Sequence, residues 1–197
     1  MLSDIRPAIV STVLLTLLLG LGYPLAITGV SQLAFPHQAN GSLVTDQAGH
    51  VIGSELLAQP FAQDGYLHPR PSAAGSNGYD PTSSSGSNYG PLSSDLAKRI
   101  AGDADSLRKS TGHPQIPDDA ITTSGSGLDP DISPAYADLQ ADRIAKARGA
   151  PVAQVRQIID AQVQAPFLGF IGQPRVNVLM TNRALDAAIP KAQPKAS

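Results

Sequence analysis

Polar and apolar positions divide this chain sharply. From Pro7 to Thr45 there is no Asp, Glu, Lys or Arg, and residues 8–30 read AIVSTVLLTLLLGLGYPLAITGV. At about 1.5 Å per residue, about 23 residues make a helix of about 34 Å, enough to cross a hydrocarbon core of about 30 Å. A single helix satisfies its own backbone N–H and C=O groups, which lipid cannot do for it. The pattern predicts a transmembrane anchor in the N-terminal segment 1–35, with its span at 8–30, then one soluble domain over 36–189 and a frayed tail over 190–197. A cleaved secretory leader fits less well. Its apolar core runs about 7–15 residues before an A-x-A-like site. Gly29-Val30-Ser31 is a poor match for such a site, and no Ala-x-Ala triplet follows the run.

Arg6 precedes the span, and the next basic residue is Arg70. Basic residues favour the cytoplasmic side, so the expected orientation is N-terminus inside and domain outside. Ala8, Thr12, Thr16 and Gly20 recur four residues apart, with Pro24 and Thr28 continuing the row. Small residues on one helix face allow close approach of a neighbouring span, and threonine hydroxyls can bond across. Pro24 is expected to kink the helix.

Beyond the anchor the apolar runs are short and separated by polar loops. Residues 42–45 and 50–53 flank Asp46-Gln47-Ala48-Gly49, the pattern of a β-hairpin. Residues 54–58 read as a short helix stopped by Pro60. Residues 66–91 are too rich in Gly, Ser, Pro and Asn for regular structure, yet carry Tyr66, Tyr79 and Tyr89, unlike a plain linker. Residues 92–110 turn helical, capped by Ser93 or Ser94, with Leu96, Ile100, Ala104 and Leu107 on one face and Gly112 and Pro114 at the end. A short strand is expected at 120–123 and a second polar loop at 124–134. Ser133 and Pro134 open a helix carrying Tyr136, Leu139, Ile144 and Ala147, which Gly149 closes. Pro151 opens the next, with Val152, Val155, Ile158, Ile159 and Val163 as its stripe and Pro166 as its stop. Alternation at Val176, Val178 and Met180 predicts a strand over 175–180, and Thr181 a cap for a last helix to Ile189. The expected fold class is α+β: one transmembrane helix, then a single extracytoplasmic domain of three or four helices with short strands and long loops.

Composition narrows the chemistry. The net charge is −2 with no basic stripe, so nothing points to nucleic acid. There is no Cys, which removes disulfides, thiolate sites and a lipoprotein anchor. None of the five lysines follows a Gly, so there is no P-loop, and Gly-x-Ser-x-Gly is absent. His37, His50, His68 and His113 are too scattered to suggest a metal site, and no catalytic residue is assigned. Ser, His and Asp are all available for a hydrolytic triad, which geometry rather than sequence decides.

A set of motifs carries a family resemblance. His68-Pro69-Arg70-Pro71-Ser72, Gly78-Tyr79-Asp80 and Gly86-Ser87-Asn88-Tyr89-Gly90-Pro91 come first. Thr123-Ser124-Gly125-Ser126-Gly127-Leu128-Asp129-Pro130, Ile132-Ser133-Pro134, Ala147-Arg148-Gly149 and Arg175-Val176-Asn177-Val178-Leu179 follow. With the lone anchor, they closely resemble the C subunit of the bacterial Kdp potassium-transporting P-type ATPase, from about Ala8 to Asp186. The resemblance implies a single-pass inner-membrane accessory subunit. Its partners would be a potassium-conducting subunit, an ATP-hydrolysing subunit and a small stabilising subunit. It also implies a catalytic chaperone that raises the ATP affinity of the hydrolysing subunit, with ATP met only in that subunit's company and potassium as the transported ion. A nucleotide contact attached to a Ser-Gly-Gly-Ser-like stretch falls on Ser84, Ser85, Gly86, Ser87 and Asn88. Here Ser85 stands where Gly is usual, as Ala58 does in the segment before Phe61, and Ser restricts the backbone approach that Gly permits. A domain outside the cell also has no access to cytoplasmic ATP. The favoured reading is therefore a scaffold or cover, with His68, Arg70, Asp80, Ser124, Ser126 and Asp129 as candidate partner contacts on two loops. The alternatives are a membrane-anchored extracytoplasmic hydrolase and a stand-alone ligand-binding module.

Overall fold

A computed structural model describes residues 2–46 and 48–189, so the tail expected at 190–197 lies outside the described residues. The chain divides into two compact units, one ending at Ser54 and one beginning at Glu55.

In the first unit the apolar run is helical throughout. Helix α1 (Leu2–Leu17) passes through a π turn at Leu18–Gly22 into α2 (Tyr23–Ala34). The stretch Ser3–Ala34 has a mean hydropathy of 2.0 and is long and apolar enough to cross a membrane. Pro24 has no N–H to give and crowds the carbonyl four residues back. The wide turn just ahead of it is where that disturbance falls. Phe35, at φ −139°, breaks the helix before the short α3 (Pro36–Ala39). The expected hairpin follows: β1 (Leu43–Thr45) pairs antiparallel with β2 (Val51–Ser54), Val44 opposite Gly53. The Asp46 carboxylate accepts from the Ala48 and His50 amides at 2.9 and 2.8 Å, which closes the turn.

The second unit is α+β. Helix α4 (Ser94–Thr111) starts where Ser93 Oγ accepts from Leu96 N and stops at Gly112, whose φ of 73° suits a residue without Cβ. Strand β3 (Asp131–Ile132) precedes α5 (Pro134–Leu139), α6 (Ala141–Arg148) and α7 (Val152–Ala161). Strands β4 (Val163–Gln164) and β5 (Arg175–Asn177) lead into α8 (Val178–Ala188). The sheet runs β3-β5-β4, antiparallel throughout. Leu67, Ile132, Tyr136, Ile144, Val155, Ile159, Val176, Val178 and Leu185 form its core with the helices.

Several expectations are corrected, each by a longer-range bond. Residues 54–58 form no helix: Ser54 ends β2, Ala58 N donates to Leu128 O at 2.9 Å, and Glu55 O accepts from Asn177 Nδ2 at 2.8 Å. Groups that a helix would pair internally are thus used across the chain. The strand at 120–123 is a 3₁₀ turn at Asp118–Ala120, extended by Thr122 Oγ1 donating to Asp118 O at 2.6 Å. The loop at 124–134 contains β3. The helix expected from Pro134 to Arg148 is broken at Gln140, giving five helices, α4 to α8, among the described residues of this unit, not three or four. Val163 leaves the α7 stripe to pair with Val176. The last helix begins four residues early, because Asn177 Oδ1 rather than Thr181 caps it, accepting from Met180 N at 3.1 Å. Thr181 lies inside α8, its hydroxyl on Asn177 O.

Candidate functional site

The two polar loops fold onto each other. Ser72 Oγ donates to Gly127 O at 2.6 Å and accepts the amides of Ala74 and Tyr79 at 3.2 and 2.8 Å. Ser126 O accepts from Ser84 Oγ at 2.9 Å and from Ser85 N at 3.0 Å. The approach depends on Gly127, at φ +66°. A Cβ there would lie 2.6 Å from Ser85 O and 2.8 Å from Ala74 N. A Cβ on Gly86 would lie 3.0 Å from Gly125 O, so this face is tight on both sides.

Arg70 ties the same loops by charge. Its Nη1 sits 3.3 Å from Asp129 Oδ2, and its Nη2 reaches Thr122 Oγ1 at 3.3 Å, while Nε is buried with no hydrogen-bond partner among the described residues. Beside it Asp131, with Arg175 Nε at 2.9 Å, has its carboxyl pushed up from the ordinary value by burial, against the pull of Arg175. Tyr79 donates its phenol to Arg70 O at 2.9 Å, and burial raises its pKa.

The structure therefore brings Arg70, Ser84, Ser85, Gly86, Ser124, Ser126 and Asp129 together. Ser124 is buried, 3.5 Å from Ser126 through their hydroxyls. Asp80 stays local, holding Thr82 N and Oγ1 at 2.8 and 2.7 Å; those bonds lower its pKa. Ser87 is half-buried and Asn88 exposed, at φ +53°. The serines of 84–87 point much of their bonding capacity at the chain itself: Ser84 and Ser85 N at Ser126 O, and Ser85 Oγ at Gly86 O.

His68 lies apart, on a groove of about 580 Å³ lined by Asp64, Leu107, Tyr136, Gln140, Arg143 and Lys146 among others. Burial first, then the Arg143 guanidinium, lowers the His68 pKa. Burial likewise lowers Arg143 and pushes Tyr136 up to about 12.

Sequence reasoning missed how the segment into the first loop is held. Asn182 pairs both backbone groups of Leu67: Leu67 N donates to Oδ1 at 2.7 Å, and Nδ2 donates to Leu67 O at 3.0 Å. Gln140 does the same for His68, at 2.8 and 3.1 Å. Two side-chain amides thus stand where a neighbouring strand would. Arg143 adds bonds to Asp64 O at 2.7 Å and Tyr66 O at 3.0 Å. Arg148, its side chain fully buried, bonds Gly65 O at 2.7 Å, Ile189 O at 2.6 Å and Asp186 Oδ1 at 2.8 Å. Its guanidinium also lies 5.1 Å from the Tyr66 ring centroid. A signal existed: Asn182 falls between Val178, Leu179 and Leu185 on one helical face, and an amide in an apolar stripe asks for a buried partner.

Ala8, Thr12 and Thr16 lie exposed on α1, with Gly20 in the π turn. Among the described residues a Cβ on Gly20 would meet only Thr16 Cγ2, at 4.0 Å, so the face is open to a neighbour. The wide turn changes the phase of the row beyond it.

Comparison with known proteins follows the whole chain. The family model described as KdpC, K+-transporting ATPase, c chain, matches residues 5–187. A relative from Caulobacter sp. (strain K31), named potassium-transporting ATPase KdpC subunit, is 65% identical over 190 residues, 96% of either chain. Relatives with the same name from Beijerinckia indica subsp. indica and Gemmatimonas aurantiaca are similar too. The first is 55% identical over 196 residues, 98% of each chain. The second is 51% identical over 188, which is 95% of this chain and 94% of the relative.

Proposed function

Because this chain belongs to the KdpC family, the c chain of K+-transporting ATPases, we propose that it is a non-catalytic accessory subunit of an ATP-driven potassium uptake complex. Ser3–Ala34 anchors it in the bacterial inner membrane as a single pass, with the soluble unit outside; Arg6 ahead of the span supports that orientation. Translocation and ATP hydrolysis belong to the other subunits: one conducting potassium, one hydrolysing ATP and one small stabilising chain. This subunit stabilises their assembly and supports transport.

One observation carries the reading. The loops holding most of the family motifs are clamped into one firm surface by Ser72, Ser126, Arg70 and Gly127. Such a surface meets a partner with little ordering left to do, which favours stable docking. The same clamp supports a structural task for residues 84–88 over a nucleotide contact, because the donors of Ser84 and Ser85 are directed at the chain itself. ATP contact is confined to the complex with the hydrolysing subunit.

The test is co-purification. Tagged chain extracted from membranes in mild detergent is expected to bring larger membrane subunits with it, and less of them when Arg70, Asp80 and Asp129 are together changed to Ala. A chain that purifies alone and monomeric would overturn the assembly reading. Tight, saturable ATP binding by the purified full chain in calorimetry would restore a direct nucleotide role.

A further inference from the structure

Between β4 and β5 the second unit carries a small turn that nothing described so far uses. Phe167, Leu168, Phe170 and Ile171 are 68%, 70%, 76% and 51% exposed. No Asp, Glu, Lys or Arg occurs from 161 to 174. Phe167 and Ile171 form an antiparallel bridge, so the four side chains crown a closed turn. Four backbone amides of the turn are paired within it. Phe167 N donates to Ile171 O at 2.9 Å, Gly169 N to Pro166 O at 3.0 Å, and Phe170 N and Ile171 N to Phe167 O at 3.3 and 2.9 Å. Pro166 and Pro174 flank it and bring no N–H of their own.

Leu168 adds a second observation. It sits at φ +53°, in the left-handed region where Gly or Asn fits more easily than a branched apolar side chain. Backbone strain at an exposed apolar residue points to a task for that side chain.

We propose that this turn is a lipid peg, seated in the interfacial zone of the bilayer that the chain's own anchor crosses. Three features favour lipid over a protein partner. An element entering lipid must satisfy its backbone internally, and this one pairs the amides of Phe167, Gly169, Phe170 and Ile171 within the turn. It carries no charge to desolvate, whereas protein interfaces usually ring their apolar centre with polar groups. Its exposed apolar area is on the order of 500 Å², the size at which surface patches are functional and short of the roughly 800 Å² that each side of a stable protein interface buries. Tethering makes a weak peg sufficient, since an anchored domain meets lipid as an intramolecular event. The proposal rests on the membrane-anchored reading given above.

The chain has no Cys, so single labelling sites can be introduced cleanly. Full-length chain bearing Phe170→Cys, labelled with an environment-sensitive nitrobenzoxadiazole dye, is reconstituted into phosphatidylcholine–phosphatidylglycerol vesicles. A blue-shifted emission is expected, quenched by lipids spin-labelled near the headgroup more than by lipids labelled deep in the acyl chain. Ser76→Cys, at an exposed position on the first polar loop, serves as the aqueous reference, and Leu14→Cys in α1 reports separately on the anchor. Adding Leu168→Ser to the Phe170→Cys chain is expected to lower the quenching several-fold. Leu14→Cys quenched by deep labels while Phe170→Cys emits as in water would overturn the peg and leave the anchor standing. Loss of quenching at both would overturn the anchor, and the peg with it. A blue shift that needs the other subunits and no spin-labelled lipid would overturn the lipid assignment in favour of a protein groove. Near-ultraviolet circular dichroism of each variant checks that the unit is folded.

Discussion

Asn182→Leu tests whether side-chain amides hold the entry to the first polar loop. Asn182 is 2% exposed, and its two bonds satisfy Leu67 N–H at 2.7 Å and Leu67 C=O at 3.0 Å. Leu67 itself is fully buried, so water does not replace the lost partner. Leucine keeps the branched outline of asparagine, which leaves packing largely intact. Each orphaned buried backbone group is worth about 1–3 kcal/mol, so the two together give about 4 kcal/mol of destabilisation. Burying an apolar side chain in place of an amide returns about 1 kcal/mol. The net loss expected is about 3 kcal/mol. Urea unfolding of the full chain in detergent, followed by tyrosine near-ultraviolet circular dichroism, measures it; hydrogen exchange at the Leu67 amide shows where the loss sits. A loss under about 1 kcal/mol with Leu67 still protected would refute the reasoning, because that amide would then have another partner.

Gly127→Ala is expected to open the loop clamp, since its new Cβ would lie 2.6 Å from Ser85 O at φ +66°; faster exchange at the Ser85 amide and weaker co-purification read this out. Thr16→Leu with Gly20→Leu keeps the span apolar but fills the small-residue face, so insertion is expected to persist while subunit co-purification falls. His68 titrates below its ordinary value in the folded unit because burial and Arg143 disfavour its charged form. Unfolded chain therefore binds the proton first, and stability is expected to decline as pH falls below about 6.5, down through the folded-state value. His68→Gln should flatten that part of a stability–pH curve measured by urea midpoints. Asp131, raised by burial, works in the opposite sense at lower pH, so the two contributions separate by sign.

The long apolar helix was legible from its unbroken run of uncharged residues, and the hairpin and the helix caps because each is decided within a few residues. Ser93, Gly112, Ser133, Gly149 and Pro151 all sit at the helix boundaries their chemistry suggests. Errors arose where a residue's partner lies far along the chain. Residues 54–58 have helix-forming character, but Leu128 and Asn177 claim their backbone. The break at Gln140 is invisible locally, since glutamine is a good helix former; its amide is needed by His68. Val178 and Met180 extend an alternating pattern, yet the Asn177 cap converts them to helix. In the candidate surface, Arg70 and Asp129 were recognisable as a set with the serines. That the two loops bond each other could not be read from either, because a serine hydroxyl gives no hint of its acceptor's address.

The amide pairing of Leu67 also sets an order of events during synthesis. Leu67 and Asn182 are separated by 115 residues. At about 5–20 residues per second, a ribosome needs about 6–23 s to deliver the second after the first. Residues 55–91 hold no helix or strand of their own; Gly127, Asp129 and Gln140 reach them first, but the Leu67 backbone stays unpaired until Asn182 arrives. The first polar loop is thus fastened in two stages, and the last of them is timed by the arrival of α8.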